Sequence, residues 1–375
     1  MKYDAMSRPE AKAKEPSLDT SNDQNRKNRV MATYDELIDQ PRAFMRTLTS
    51  VQPALQTIAR SLKDREIDTV VLTGCGDSWF VGNSVQYVVE TLTHVRCLSL
   101  EAYEFEMYYH HGINDRCVVI GQSASGTTQT VLRGLSHAKS CGAVTIGMGN
   151  TEHSTILTDY DFGIYVPVTR KGWPTQATTS AIGVLIALFC QIAQEKGINT
   201  SFVEKITQEL DEIPALMSEA LLFNEEPIKT FCKSRVQEMY FQATGSGPAY
   251  AVAQIAAAKL KELCPVHASA YPLEEFHHYR SLKPNDTLIL IAPQKTCKDR
   301  ELDTALVGAY DEGVIVTVAE SLSPDLEKVT DLFCKVPKVS EYLAPLVYAV
   351  PIHLFAYYIA LAKFEAFVGY LSYER

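Results

Sequence analysis

The fold follows from the stretch Thr69-Val-Val-Leu-Thr-Gly-Cys-Gly-Asp-Ser78, in which a short apolar run ends in two glycines. A similar stretch, Glu238-Met-Tyr-Phe-Gln-Ala-Thr-Gly-Ser-Gly-Pro-Ala249, repeats both glycines, since 245 − 74 and 247 − 76 both equal 171. The apolar runs Cys117-Val-Val-Ile120 and Thr287-Leu-Ile-Leu-Ile291 keep this spacing, because 291 − 120 is also 171. Three landmarks with one offset indicate a duplicated domain.

Each half alternates short apolar strands with helical patterns. In the first half, the segment 128–142 has one apolar helical face, formed by Val131, Leu132, Leu135 and Ala138, and its final glycine is typical of a helix end. Strands that alternate with amphipathic helices are typical of parallel sheets covered on both faces. We therefore predict an α/β protein with two similar domains, each a parallel sheet sandwiched by helices.

The composition is that of a soluble globular protein, with 46% apolar residues, 21% charged residues and a formal net charge of −10. This charge gives no general electrostatic reason to bind nucleic acid or acidic membranes, so an anionic ligand needs a local site. The nine cysteines form no Cys-x-x-Cys motif, which predicts reduced thiols in a cytoplasmic protein. The uncharged segment 344–362 nearly reaches membrane-spanning length, but Pro351 and His353 in its middle favour a buried core helix.

The domain limits are predicted from changes in composition. We expect the polar residues 1–31 to form a disordered tail. The first domain is predicted over 32–205 and opens with a helix at 41–62, which carries Pro41 in its first turn. The second domain is predicted over 206–375.

Two loops that follow strands are candidates for anion binding. The first supplies the hydroxyl groups of Ser123, Ser125 and Thr128 beside a helix start, where free N–H groups and the positive dipole end favour a tetrahedral anion. An ordinary Ser/Thr helix cap is the alternative interpretation. The second loop contains Gly76 and Ser78. It lacks the third glycine of a dinucleotide-binding motif, so that interpretation is weak.

A third segment carries acid and base groups. The sequence Lys259-Leu-Lys-Glu262 ends a predicted helix, and Glu275, His277 and His278 follow in a loop. A carboxylate and an imidazole together can transfer protons near a carbonyl group. A solvated helix face and an ordinary hydrogen-bonded histidine are the alternative interpretations of these residues.

These segments resemble the double sugar-isomerase (SIS) domain family, typified by the isomerase half of glucosamine-6-phosphate synthase. The family carries Gly-x-Gly-Thr-Ser, Ser-x-Ser-Gly-Glu-Thr and Lys-x-Lys-Glu at these places, with a histidine sixteen residues after the last glutamate. That spacing favours His278 over His277. The chain departs from the pattern at Asp77, which replaces the threonine, and at Thr127, which replaces the first glutamate.

Two features have no counterpart in the family pattern. A carboxylate at Asp77 would repel a phosphate dianion by about 1 kcal/mol or more at contact distance. We therefore expect that Asp77 turns away, or that the ligand carries less charge or a donor, as a sulfonate or an amine would. The segment Arg170-Lys-Gly-Trp173 lies where the family has a ligand loop. It is either a solvated basic turn or an anion clamp in which Trp173 forms an apolar wall against the sugar.

The resemblance implies two tandem flavodoxin-like SIS domains and an aldose–ketose isomerase for a small anionic hexose. His278 would open the sugar ring, and Glu262 would move a proton between C1 and C2, with Lys259 and Glu275 beside them. Such proton transfer needs no metal or redox cofactor, so none is expected. In relatives the histidine crosses a subunit interface, which implies a homodimer or higher homo-oligomer with a shared site. The serine and threonine loops would bind the group on C6.

Other activities of the family remain open at this stage. Deglycases and amino-sugar-phosphate deaminases use the same acid and base chemistry, and a non-catalytic sugar-phosphate sensor is a further alternative. The chain does not show the Asp-x-Pro-Arg-Asn tail with its imine-forming lysine, nor a preceding glutaminase domain. We therefore expect neither synthase-type imine exchange nor ammonia release from glutamine.

Overall fold

The computed structural model of the chain describes residues 24–109, 111–264, 266–293 and 295–366. The first half begins with a long helix and contains five strands, each followed by a helix. Its elements are α1 Gln24–Ser61, β1 Thr69–Gly74, α2 Asp77–Thr93, β2 Arg96–Glu101, α3 Ala102–Tyr108, β3 Cys117–Gln122, α4 Gln129–Ser140, β4 Val144–Gly149, α5 Thr155–Thr158, β5 Phe162–Tyr165 and α6 Gln176–Lys196.

The second half repeats this order after a connecting helix, and a short 3₁₀ turn at Glu341–Leu343 precedes its last helix. Its elements are α7 Thr200–Ser234, β6 Tyr240–Gly245, α8 Pro248–Leu263, β7 His267–Pro272, α9 Glu275–His278, β8 Thr287–Ile291, α10 Lys298–Tyr310, β9 Val314–Ala319, α11 Pro324–Glu327, β10 Leu332–Lys335 and α12 Ala344–Ala366.

The strands form two five-stranded sheets, in the orders β2-β1-β3-β4-β5 and β7-β6-β8-β9-β10. All of the pairings are parallel. The central strands are buried along almost their whole length, because helices cover both faces of each sheet. The order is that of a flavodoxin-like sheet in each half. The predicted α/β class and architecture are confirmed.

The duplication is visible in three dimensions. The offset between β1 and β6 is 240 − 69 = 171, that between β2 and β7 is 267 − 96 = 171, and that between β4 and β9 is 314 − 144 = 170. The equivalent helices α2 and α8 pack together where the two halves meet. There Asn83 Nδ2 donates a hydrogen bond of 2.8 Å to Oε1 of Gln254, the residue 171 positions later. The two halves therefore meet through equivalent surfaces.

Helix α1 corrects the predicted start of the first domain. It begins at Gln24, so residues 24–31 are helical and do not belong to a tail, and the remaining residues of that predicted tail lie outside the described part. Pro41 does not open a helix, because it lies inside α1, as Pro53 does. The predicted boundary between 205 and 206 also falls inside a helix, α7.

The extension of α1 has a packing cause. A proline inside a helix removes one backbone hydrogen bond and strains the preceding turn. Burial of an apolar stripe against the core offsets this cost over the whole length of α1. The stripe has a spacing of seven residues and consists of Val30, Leu37, Phe44, Val51 and Ile58, each at most 3% exposed.

Two helices are long and apolar enough to cross a membrane by composition alone, α6 and the helix that ends at Ala366. Both are buried inside the protein, over 94% and 100% of the tested window. This confirms the predicted core helix at 344–362 and makes the apolar composition weak evidence for a membrane span.

All nine cysteines are free thiols. Within the described residues, no group of three or more His, Cys, Asp or Glu side chains is placed to hold a metal ion.

Candidate active site at the domain junction

The loops that follow β1 and β3 lie side by side at the carboxyl edge of the first sheet, where the strand order reverses. This switch point is where open parallel sheets bind ligands. Gly74 is required there, because a Cβ atom would lie 2.6 Å from Cβ of Ser78. Gly76 adopts a φ of 55°, which other residues rarely adopt. These two glycines place the first turn of α2, with Ser78, against the end of the strand.

The loop after β3 is a cluster of hydroxyl groups. Ser123 Oγ lies 2.8 Å from Thr128 Oγ1 and 3.4 Å from Ser125 Oγ, and Ser125 Oγ lies 3.2 Å from Thr127 Oγ1. Ser123 is buried, whereas Ser125 is half-buried. The structure therefore brings the three predicted hydroxyl groups of this loop together, and Thr127, which replaces the family glutamate, joins them.

The helix starts at these loops lack side-chain caps. Thr128 occupies the N-cap position of α4, and Gly76 occupies that of α2, but neither helix has a side-chain hydrogen bond at its cap. The first N–H groups of α4 thus remain available to an anion, whereas in α2 the N–H groups of Ser78 and Trp79 donate to the carbonyl groups of Cys75 and Gly76. The ordinary Ser/Thr cap is wrong as an explanation of this loop. The two loops are adjacent, since Cys75 Sγ lies 3.6 Å from Thr130 Oγ1.

A buried ion-pair cluster joins this edge of the sheet to the second half. Lys259 is 0% exposed, and its Nζ lies 2.5 Å from Oδ2 of Asp77 and 2.5 Å from Oε2 of Glu262. Thr178 Oγ1 on α6 donates to the same Asp77 oxygen at 3.2 Å. The Asp77 carboxylate therefore binds Lys259, in agreement with the expectation that it turns away from the anion loop. Its other oxygen, Oδ1, is buried and has no hydrogen-bond partner among the described residues.

The charges in this cluster change its proton affinities. Burial raises the pKa of Glu262, and the Asp77 carboxylate adds to this rise, while Lys259 opposes it. Burial would by itself lower the pKa of Lys259, but the two carboxylates outweigh that effect and hold it above its ordinary value. A carboxyl group with a raised pKa is suited to accept and return a proton near neutral pH.

The predicted histidine lies away from this cluster in the single chain. The side chain of His278 is 62% exposed, and its Nε2 lies 3.5 Å from Glu274 Oε1. Glu275 is exposed at the start of α9. His277 faces the opposite way, with its Nε2 2.9 Å from Thr304 Oγ1 in the same domain. His278 and Glu275 are thus presented at the surface, and His277 is a packing residue.

The segment that follows β5 differs from the predicted wall. Trp173 is only 5% exposed, and the Arg29 guanidinium covers its ring at 3.5 Å from the centroid. An open apolar wall is therefore wrong. Glu36 on α1 fixes the segment, because it accepts hydrogen bonds from Thr169 Oγ1 and from the N–H groups of residues 171 and 172.

Arg29 is a site residue that sequence reasoning missed. It acts electrostatically on Glu262 and lowers the pKa of that carboxyl group. It also lies near Arg170, whose pKa is lowered by partial burial and by this second guanidinium. Arg29 therefore acts on both the Glu262 carboxyl group and the Arg170 guanidinium. Arg29 was assigned to the tail, and only the seven-residue stripe of α1 would have indicated otherwise.

A neutral histidine lies behind Lys259. His353 on α12 is fully buried, and burial, together with the charge of Lys259, lowers its pKa to about 3. Its Nδ1 lies 3.1 Å from Oε1 of the buried Gln40. The ring is therefore uncharged at neutral pH and adds no positive charge beside the ammonium group.

The two halves contribute different parts of the site. At an offset of 171, the first-half equivalents of Lys259 and Glu262 are Val88 and Thr91, since 259 − 171 = 88 and 262 − 171 = 91. In the second half, Pro248 stands where the first half has Asp77, since 248 − 171 = 77. The two halves thus differ at equivalent positions: the Lys259 and Glu262 pair occurs only in the second half, and Asp77 only in the first.

Comparison with protein families agrees with this geometry. Residues 65–193 match the family model described as the SIS domain. The chain contains a SIS domain. Over 298 residues, the chain is 30% identical to the isomerizing glutamine–fructose-6-phosphate aminotransferase of Bacteroides thetaiotaomicron, a match that covers 78% of this chain and 48% of that enzyme. The chain spans about half the length of the curated relatives it matches.

Solved structures show the same tandem SIS fold. The C-terminal domain of glucosamine-fructose-6-phosphate aminotransferase from Francisella tularensis superposes with a TM-score of 0.78 at 22% identity, covering 88% of this chain and 96% of that one. Tagatose-6-phosphate ketose/aldose isomerase from Escherichia coli gives a TM-score of 0.71 at 16% identity, covering 88% and 92%. The sheet orders of both halves are therefore those of tandem SIS domains.

Proposed function

We propose that the protein is a cytoplasmic aldose–ketose isomerase that acts on a hexose with an anionic group on C6. The observation that carries this proposal is the half-buried Glu262 carboxyl group, which Lys259 joins to Asp77, the residue directly before Ser78. This ion pair supports a role for Glu262 as a proton-exchanging group near the candidate anion loop of the first domain. The similarity to a ketose/aldose isomerase fold supports the same activity.

The reaction is a proton transfer between neighbouring carbons. Starting from the aldose, the Glu262 carboxylate removes the proton from C2 while water gives a proton to the carbonyl oxygen on C1, which forms an enediol. The hydroxyl group on C2 then gives its proton back to water, and Glu262 returns its proton to C1, which forms the ketose. Lys259 holds the carboxyl group in place at 2.5 Å. Ser78, Ser123, Ser125 and Thr128 hold the C6 group by hydrogen bonds.

Ring opening is assigned to His278 of a second subunit. In its own chain this side chain is exposed and bonded to Glu274. A homodimer in which α9 of one subunit lies over the hydroxyl loops of the other would supply the missing imidazole, as the family resemblance implies. Glu275 would accompany it.

Turnover assays test the proposal. We expect hexoses with phosphate or sulfonate on C6 to be isomerised, and the corresponding hexoses without an anionic group to be poor substrates. Glu262→Gln should remove turnover and retain binding, because it keeps the shape of the side chain without its basicity. A protein that turns over none of these sugars, or a Glu262→Gln variant with wild-type activity, would exclude the proposed function.

The pair of guanidinium groups favours a second candidate activity, deglycation. Arg29 acts electrostatically on Glu262, the group proposed to act at C1 and C2, and Arg170 is the guanidinium that Arg29 influences in turn. A sugar that carries an amino acid on C1 would place a carboxylate there. A deglycase would turn over glycated amino acid 6-phosphates faster than plain hexose 6-phosphates, and Arg170→Met would raise KM for the former only.

A further inference from the structure

We propose that Asp77 is a positioning residue for Glu262: by sharing the Lys259 ammonium group, it holds the Glu262 carboxyl group in place at the junction of the two domains. This inference rests on the proposed role of Glu262 as the proton-transfer group. Neither the family pattern, which has a threonine at this position, nor the comparisons assign a role to this carboxylate.

The geometry places one ammonium group between two carboxylates. Lys259 Nζ is 2.5 Å from an oxygen of each, and the lysine is fully buried. The three groups therefore carry one positive and two negative charges around a fully buried ammonium group, and the two carboxylates lie partly exposed, at 15% for Asp77 and 32% for Glu262. With Asp77 neutral, the ammonium group would bind Glu262 alone, and the carboxylate form of Glu262 would be favoured over the protonated form.

Other groups that face this cluster do not replace Asp77. Arg29 on α1 acts on Glu262 in the opposite direction and favours its charged form. His353 on α12 faces Lys259 but is neutral above about pH 4, since its pKa lies at about 3. Thr178 on α6 donates a hydrogen bond to Asp77 and carries no charge. The negative charge that opposes ionisation of Glu262 thus comes from Asp77.

The position of Asp77 also links the two parts of the site. It is the first residue of α2, directly before Ser78, and so belongs to the candidate anion loop of the first domain. Lys259 and Glu262 belong to α8 of the second domain. Asp77 therefore fixes the distance between the anion loop and the carboxyl group, and a threonine would be too short and uncharged to make this ion pair.

The test compares Asp77→Asn and Asp77→Thr with the wild type, with Asp39→Asn as the control. Asp39 is also paired with basic side chains, those of Arg42 at 2.8 Å and Arg46 at 2.7 Å, but it lies on the surface of α1. Two measurements are made on each protein. One is the pH dependence of kcat/KM for hexose 6-phosphate isomerisation, and the other is a carbon-13 NMR titration of glutamate carboxyl groups. The Glu262 signal is assigned by its loss in Glu262→Gln.

We expect the acid limb of kcat/KM and the Glu262 titration to move to lower pH in both Asp77 variants, because the charge that opposes ionisation of Glu262 is removed. kcat at neutral pH should fall more than KM rises, and Asp39→Asn should leave both measurements unchanged. Equal loss of activity at every pH, with an unchanged Glu262 titration, would reduce Asp77 to a structural role and overturn the inference. If the wild type isomerises no sugar, the proposed function fails, and the NMR titration still decides the role of Asp77.

Discussion

The proposed function makes anion affinity depend on the hydroxyl groups of the loop after β3. Ser125 contributes little to packing, because its side chain is half-buried and bonded only within the loop. A hydrogen bond to a charged group contributes about 1.5–3 kcal/mol. Ser125→Ala should therefore raise KM for a C6-anionic hexose about 10- to 100-fold and leave kcat nearly unchanged.

The matched control for this change is Ser140→Ala. Ser140 lies exposed at the other end of α4 and bonds to the carbonyl group of His137. Ser140→Ala should leave KM for the sugar unchanged. Inorganic phosphate should inhibit this variant and the wild type equally. Equal KM values for the two variants would mean that the loop does not bind the anionic group.

Burial of His353 predicts a pH dependence of stability. The pKa is about 3 in the folded protein and about 6.5 in an unfolded chain. The contribution of this side chain to folding is therefore fully present above pH 6.5 and is lost as pH falls from 6.5 towards 3. Between pH 4 and 6, His353→Gln should reduce the slope of unfolding free energy against pH by about 1.4 kcal/mol per unit.

Denaturant unfolding at several pH values measures this slope. His267→Gln, a change at an exposed histidine at the start of β7, is the control and should keep the wild-type slope. A His353→Gln slope equal to that of the wild type would contradict a neutral buried imidazole.

Single residues of the site were predictable only where the sequence pattern was local. Ser123, Ser125 and Thr128 lie within six residues of one another, so a helix start was enough to bring them together. The partnership of Asp77 with Lys259 spans 182 positions and depends on how the two domains pack, which spacing along the chain does not reveal. Arg29 was missed for the same reason, since the distant Trp173 supports it.

At the level of elements, α1 determines how the segment around Trp173 is held. Its apolar stripe buries Leu37 completely, whereas the adjacent Ile38 is 36% exposed. Leu37→Ala should lower the free energy of unfolding by about 2–5 kcal/mol, because a buried leucine is replaced by a cavity. Ile38→Ala should cost less than 1 kcal/mol, about the effect expected of a surface change.

Urea unfolding of both variants tests whether α1 is a packed element before Pro41. Equal and small losses would mean that this part of α1 does not pack on the core.

The strands were predictable because parallel strands buried on both faces are apolar throughout. The start of α1 was not predictable, because a proline such as Pro41 is typical of a helix start. The energetic cost of Pro41 inside α1 is offset only by tertiary contacts.

At the level of the whole molecule, we propose that His278 completes the site of a second copy of the chain. Glu262→Gln and His278→Ala should each be inactive alone as homodimers. Co-expression with two affinity tags should yield mixed dimers that contain one complete site. Random pairing makes half of the dimers mixed, so total activity should reach about one quarter of the wild-type value.

The activity of purified mixed dimers is measured, and each singly tagged homodimer serves as the control. Mixed dimers without activity, or a His278→Ala homodimer with full activity, would contradict a site shared between subunits. The duplicated architecture was predictable from the offset of 171, which β1/β6 and β2/β7 keep and β4/β9 keeps to within one residue. The proposed homodimer rests on the family resemblance alone, because surface residues that would meet a second chain follow no periodic pattern.

Solvent deuterium exchange tests the central claim most directly, because it follows the proton that Glu262 is proposed to move. A hexose 6-phosphate is incubated with the protein in deuterium oxide, and proton NMR follows the signals of C1 and C2. The wild type should introduce deuterium at C2 of the aldose, and Glu262→Gln should do so at least about 100-fold more slowly while it binds the sugar equally well. Exchange by Glu262→Gln at the wild-type rate would contradict the assignment of this carboxyl group as the base.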